Sequence, residues 1–156
     1  MGNYYDEFLI LKRKLVDFNN VVEDFRVKNS VDSIILKEKL YDILGFIEIC
    51  LKYTIVMPED KPIVSAFKYA NNMKKHSRSL FSFSVFTPAL YPSDNLYPSD
   101  NLFPSSFKIW WNEVPFDKGG FKKQYDCYNS ELLYKDIPES INNIYEIIKK
   151  GFPKND

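Results

Sequence analysis

Residues 8–25 read FLILKRKLVDFNNVVEDF, and the apolar members Phe8, Leu11, Leu15, Phe18, Val22 and Phe25 recur three and four apart. That spacing draws one hydrophobic stripe along one side of a helix, so a helix is expected over about residues 4–28. Residues 36–51, LKEKLYDILGFIEICL, repeat the pattern at Leu36, Leu40, Ile43, Ile47 and Leu51. Asn29-Ser30 reads as the cap of this second helix, which is expected over 30–56 with Pro58 as its stop. Two long amphipathic helices in succession set the fold class as mainly α.

Downstream, Asp60 reads as a cap with Pro62 in the first turn, where a missing N–H costs nothing. A third helix is expected over 60–79, its seam formed by Ala66, Tyr69, Met73, His76 and Leu80. The period then changes. Phe81-Ser82-Phe83-Ser84-Val85 and Phe107-Lys108-Ile109-Trp110-Trp111-Asn112 alternate by two and are rich in aromatic residues, which predicts a short antiparallel strand pair near 81–86 and 107–113. The connector repeats a hexapeptide, LYPSDN at 90–95 and 96–101, then LFPSSF at 102–107. Its Pro, Ser, Asp and Asn residues are turn formers, so it reads as a duplicated surface loop.

After Gly119-Gly120, Phe121, Tyr125, Tyr128 and Leu132 mark a fourth helix over 119–134. Asp136-Ile137-Pro138-Glu139 has the form of a capping box. It opens a fifth helix over 137–151 with the stripe Ile137, Ile141, Ile144 and Ile148, ended by Gly151 and Pro153. The expected architecture is a single domain, 1–156: an antiparallel bundle of about five helices with a hairpin-like excursion and a Pro/Tyr repeat loop at 81–118.

Composition narrows the function classes. With 45% hydrophobic residues, 17% aromatics and 5 glycines in 156 residues, the chain has too much core material to be disordered. No apolar run approaches the roughly 20 residues of a membrane span. The acidic start Asp6-Glu7 is unlike the basic head of a signal peptide, and Asp6 breaks the myristoylation pattern that Met1-Gly2 begins. A cytoplasmic protein without membrane contact is expected. Cys50 and Cys127 stand apart with no C-x-x-C spacing, and there is 1 histidine, so no metal site, disulfide framework or cofactor is expected.

The formal net charge is zero, which argues against a chain that is basic all over and grips nucleic acid with its whole surface. The charge is unevenly placed. Residues 61–93 contain Lys61, Lys68, Lys74, Lys75 and Arg78 and no acid, and they surround the lone His76. Within them Asn72 and His76 are four apart on a helix and share a side. Histidine titrates near neutrality, amides donate and accept, and Lys or Arg neutralises phosphoryl oxygens. Asn72 and His76 are therefore candidate catalytic residues, with Lys68, Lys74, Lys75 and Arg78 as the candidate RNA or phosphate contacts, and Asn71 joins them only through a family resemblance. The alternative places His76 on the apolar seam as a core histidine satisfied by Asn72 or a backbone carbonyl.

A two-helix core followed by a helix bearing a polar residue, Asn, three more residues and His resembles the HEPN superfamily, whose motif is Arg, a spacer of four to six residues, and His, often with Asn after the Arg. Asn71-Asn72-Met73-Lys74-Lys75-His76 matches the Asn and His positions, and Asn71 stands in the place of the Arg. The resemblance covers residues 30–150 and extends to the aromatic strand and two closing helices, as in small HEPN-like proteins of prokaryotic mobile elements and phage defence. It implies a metal-independent ribonuclease or RNA-binding domain, usually a homodimer, in which His and Arg assist attack of a ribose 2′-hydroxyl on the adjacent phosphate. An amide in place of the guanidinium lacks its permanent charge and planar fork, so the motif is degenerate at its decisive position.

Two other classes remain. One is a non-catalytic interaction module, an antitoxin-like or regulatory bundle that docks a protein partner through Tyr91, Tyr97, Trp110 and Trp111, residue types enriched in interface hot spots. The other is a small-molecule hydrolase using His76 with Ser77 or Cys127, for which the motif helix offers no orienting acid.

Overall fold

The computed structural model describes residues 5–76, 79–85, 107–116 and 121–153. The elements run α1 Tyr5–Lys28, α2 Ser33–Leu51, a one-turn 3-10 helix Pro58–Asp60, α3 Lys61–Lys75, β1 Phe81–Ser84, β2 Lys108–Trp111, α4 Lys122–Glu131 and α5 Ile137–Gly151. The fold is mainly α, with five α-helices and a two-stranded antiparallel sheet among the described residues. No helix among the described residues is long and apolar enough to cross a membrane. The hexapeptide repeat up to Ser106, with Tyr91 and Tyr97, lies outside the described residues, as does Arg78.

Every residue of the α1 stripe is buried, from Phe8 through Phe25, and so is every residue of the α2 stripe, from Leu36 through Leu51. The two helices run antiparallel. Lys14 pairs with Asp42 at 2.6 Å and Lys39 with Asp17 at 2.8 Å, so residue numbers rise on one helix as they fall on the other. α5 lays Ile137, Ile141, Ile144 and Ile148 into the same core. It crosses α1 where Phe8 stacks on Tyr145 and Phe152, and where the amides of Asn19 and Asn142 exchange two hydrogen bonds of 3.2 and 3.3 Å. The capping residue expected for α5 is in place, with Asp136 Oδ2 accepting from the Glu139 N–H at 2.9 Å.

The bounds of α2, α3 and α4 differ from the sequence reading, α4 being the shorter Lys122–Glu131. Asn29-Ser30 closes α1 instead of opening α2: Asn29 takes a left-handed φ of 53°, and the Ser30 and Asn29 amides bond back to the Phe25 and Arg26 carbonyls, a Schellman closure that asparagine tolerates. The cap of α2 is Asp32, whose Oδ1 accepts from the Ile34 and Ile35 amides. α2 stops at Leu51, since the β-branched run Thr54-Ile55-Val56 favours extended backbone and the Ile55 N–H is taken by the Gly151 carbonyl at 2.9 Å. Asp60 ends the 3-10 turn with no side-chain cap, and α3 closes at Lys75 because the chain beyond it joins the sheet, where Asn112 N–H bonds the Leu80 carbonyl at 2.8 Å.

The sheet has the expected antiparallel sense, with Phe81 opposite Trp111, Ser82 opposite Trp110, Phe83 opposite Ile109 and Ser84 opposite Lys108. β2 is flanked on its other side by the turn before α5, through bridges of Trp110 with Asp136 and Trp111 with Leu133. Period-two alternation then sorts the side chains: Ile109 and Trp111 are buried, while Lys108 is exposed and Trp110 half-buried on the opposite face. Trp111, completely buried, meets Phe67 and Tyr128 edge-on at ring distances of 5.6 and 6.4 Å. Through these contacts the sheet and α4 are fixed against α3.

Burial also sets an alkaline limit to the fold. It pushes the Cys50 thiol up to about 12 from an ordinary 9.0, with the Glu7 charge adding to the effect, and holds the Tyr128 phenol above its ordinary range. Both groups are held protonated, so their contribution is fully present below the unfolded-state values and is lost as pH rises through about 9 and beyond. The thermal midpoint is expected to fall across pH 9–11 and to fall less steeply in Cys50→Ala. A flat profile over that window in the parent protein would contradict this assignment.

Candidate functional site: the outer edge of helix α3

α3 sorts its polar residues onto two sides. Lys68 and Lys75 are exposed, Asn72 between them is half-buried, and His76 is an exposed residue that caps the helix C-terminus. Positions 68, 72, 75 and 76 follow the i, i+4, i+7, i+8 row of one helix side, spanning roughly 12 Å at 1.5 Å per residue. The structure therefore brings Lys68, Asn72, Lys75 and His76 together along one edge. His76 does not continue the buried seam of Ala66, Tyr69 and Met73: the helix ends there with ψ near 18°, which turns the residue out of the core.

The adjoining side of α3 faces α2 and carries different chemistry. Asn71 is 1% exposed, and its amide nitrogen donates to Glu48 Oε2. Its carbonyl oxygen is buried without a partner among the described residues. The same Glu48 oxygen receives Lys75 Nζ at 3.4 Å. Lys74 lies back over α2, donating to the Tyr41 carbonyl at 3.2 Å, and desolvation holds its ammonium below the usual lysine range. The candidates thus divide. Asn71, the residue in the motif's Arg position, is an interior hydrogen-bonding group and cannot touch a ligand in solvent. Lys74 is a packing residue bonded to the middle of α2 more than a free charge.

Glu48 was missed by the sequence reading, although the string Phe46-Ile47-Glu48-Ile49-Cys50 carried a signal, a lone acid inside an apolar helix run. An acid so placed needs a partner, and α3 supplies two. It also means that the acid-free segment is not acid-free in space.

The aromatic candidates separate in the same manner. Trp111 belongs to the core and is closed to a partner. Trp110 lines an open cleft of about 360 Å³ with Lys108, Ile109, Tyr134 and Asp136. Among the described residues no group of three His, Cys, Asp or Glu side chains is placed to hold a metal ion. Comparison with protein families, characterised proteins and solved structures finds no match.

Proposed function

We propose that this chain binds RNA or a nucleotide along the outer edge of α3, through Lys68, Asn72, Lys75 and His76, as a HEPN-like protein whose motif retains binding and has lost strand cleavage. The observation that supports the reading is the exposure of His76 at the helix end, one residue beyond exposed Lys75 and in the same row as Lys68. An imidazole and two ammonium groups along one edge suit successive phosphates of a single strand. Cleavage is excluded from the proposal because the position that would carry the second catalytic charge is the buried Asn71, already bonded to Glu48.

The test is a binding titration of a single-stranded oligoribonucleotide at two salt concentrations. Affinity is expected to fall with salt with a log–log slope of roughly −1 to −2, since few charges release counterions. Lys68→Ala/Lys75→Ala is expected to weaken binding by on the order of tenfold and to flatten that slope, while Lys74→Ala changes either quantity little. Affinity untouched in the double variant would remove α3 as the binding edge. Rapid RNA cleavage by the parent, lost in His76→Ala, would replace the binding reading with a catalytic one.

A further inference from the structure

The outward face of the sheet carries a second arrangement that the α3 edge does not use. Lys108 and Trp110 project from β2 on the side away from the core, and Asp136 bridges Trp110 across the adjoining turn. Tyr134 stands beside them, 63% exposed. Its backbone is in the left-handed region at φ 65°, which a bulky aromatic residue rarely adopts. Two main-chain bonds lock that conformation: Tyr134 N–H to the Trp111 carbonyl at 3.0 Å and Trp111 N–H to the Lys135 carbonyl at 3.2 Å. The consequence is an aromatic side chain held at the rim of the cleft instead of in the core, and strain of this kind concentrates where ligands are held.

The cleft of about 360 Å³ falls in the size range of small-ligand pockets. Its chemistry has three parts. Trp110 and Tyr134 supply two aromatic rings to its lining, with the Tyr134 hydroxyl donating to Glu113 Oε2 at 3.3 Å. Lys108 presents a cation. Asp136 presents a carboxylate that uses Oδ2 on the Glu139 amide, which among the described residues leaves Oδ1 to accept from a ligand. A planar ring, an anion and an N–H donor on the ring edge occur together in a nucleotide. Among the bases, guanine offers two N–H donors on its Watson–Crick edge and a two-ring stacking surface, whereas uracil offers one donor and a single ring.

We infer that this cleft is a base-stacking site for a guanine nucleotide, with Trp110 and Tyr134 holding the base, Asp136 accepting from its edge and Lys108 meeting the phosphate. The inference stands on the cleft alone and does not require the α3 edge. The same chemistry is offered by a free nucleotide and by an unpaired guanosine of single-stranded RNA.

Tryptophan fluorescence reads the site directly, because Trp110 lines it while Trp111 is sealed away. GMP is expected to quench the emission saturably, UMP to bind roughly tenfold more weakly, and ribose 5-phosphate to have no effect. Trp110→Ala is expected to weaken GMP, followed by calorimetry, by on the order of tenfold or more, the usual loss for one stacked base. Lys108→Ala serves where Trp110→Ala is unstable. It should weaken GMP severalfold and leave guanosine unchanged. A guanine-containing octaribonucleotide that competes with GMP and binds more tightly identifies RNA as the source of the base, and GMP binding without octamer binding identifies the free nucleotide.

Absence of saturable GMP binding up to about 1 mM, the weak end of specific affinities, overturns the inference. So does ribose 5-phosphate binding as well as GMP, or a GMP affinity unchanged in both Trp110→Ala and Lys108→Ala. The Lys68→Ala/Lys75→Ala protein separates the two readings. Loss of octamer affinity with GMP quenching retained supports both sites, and octamer affinity retained with GMP quenching retained removes the α3 edge alone.

Discussion

Trp111→Ala is expected to lower the unfolding free energy by about 4 kcal/mol, in the range for deleting a buried aromatic side chain, while Trp110→Ala one position away is expected to cost about 1 kcal/mol or less. Equilibrium urea unfolding measures both. The difference follows from the strand's period of two, which sends Trp111 between Phe67 and Tyr128 and Trp110 toward the cleft. Removal of the Trp111 ring empties the place where α3, α4 and the sheet meet.

A finer comparison comes from Trp111→Phe. The Trp111 indole N–H is buried with no partner among the described residues, so the native state already carries the penalty of an orphaned donor, about 1–3 kcal/mol. Phenylalanine keeps most of the ring and removes that donor, and the net change is expected to be about 1 kcal/mol in either direction. A larger loss for Trp110→Ala than for Trp111→Ala would mean that the strand register is shifted by one residue, since a one-residue slip exchanges the two faces.

The parts of the fold legible in the sequence are those governed by one strong periodic term. The α1, α2 and α5 stripes are buried residue for residue because a helix side is set locally, by spacing, and needs no knowledge of its partner. Ends of elements depend on what the chain meets next. Asn29 suits either a helix entry or a left-handed exit, and only the backbone bonds to Phe25 and Arg26 decide between them. The end of α2 is decided by Gly151, nearly a hundred residues away. The candidate site shows the same division: exposure of His76 depends on where α3 stops, and the loss of Asn71 and Lys74 from the ligand-facing set depends on Glu48 and Tyr41 of another helix. Spacing along α3 places these residues near one another but cannot tell the solvent side from the α2 side when both are polar.

Gly151 gives the sharpest test of that long-range term, because local propensity and tertiary packing predict opposite signs for the same substitution. Gly151 is the last residue of α5, and alanine at a helical position is ordinarily more favourable than glycine by up to about 1 kcal/mol. A Cβ placed there meets the Ile55 carbonyl oxygen at 2.1 Å, with Thr54 Cγ2 at 3.0 Å and the Ile55 carbonyl carbon at 3.1 Å. The nearest of these atoms, the Ile55 carbonyl oxygen, is backbone, so no rotamer change relieves the contact. The segment after α2 must withdraw, which breaks the Ile55 N–H bond to the Gly151 carbonyl and disturbs the seat of Phe152 against Phe8 and Tyr53. Gly151→Ala is therefore expected to destabilise by about 3 kcal/mol, at the upper end for overpacking. Gly45 is the internal control. It lies within α2, and a Cβ there meets only Lys74 Nζ at 3.5 Å, an ordinary contact with the tip of a flexible side chain. Gly45→Ala is expected to stabilise by roughly 0.5–1 kcal/mol by restricting the unfolded chain. Urea unfolding of the two variants beside the parent should show midpoints displaced in opposite directions, and a stabilising Gly151→Ala would mean that the end of α5 does not abut the link after α2.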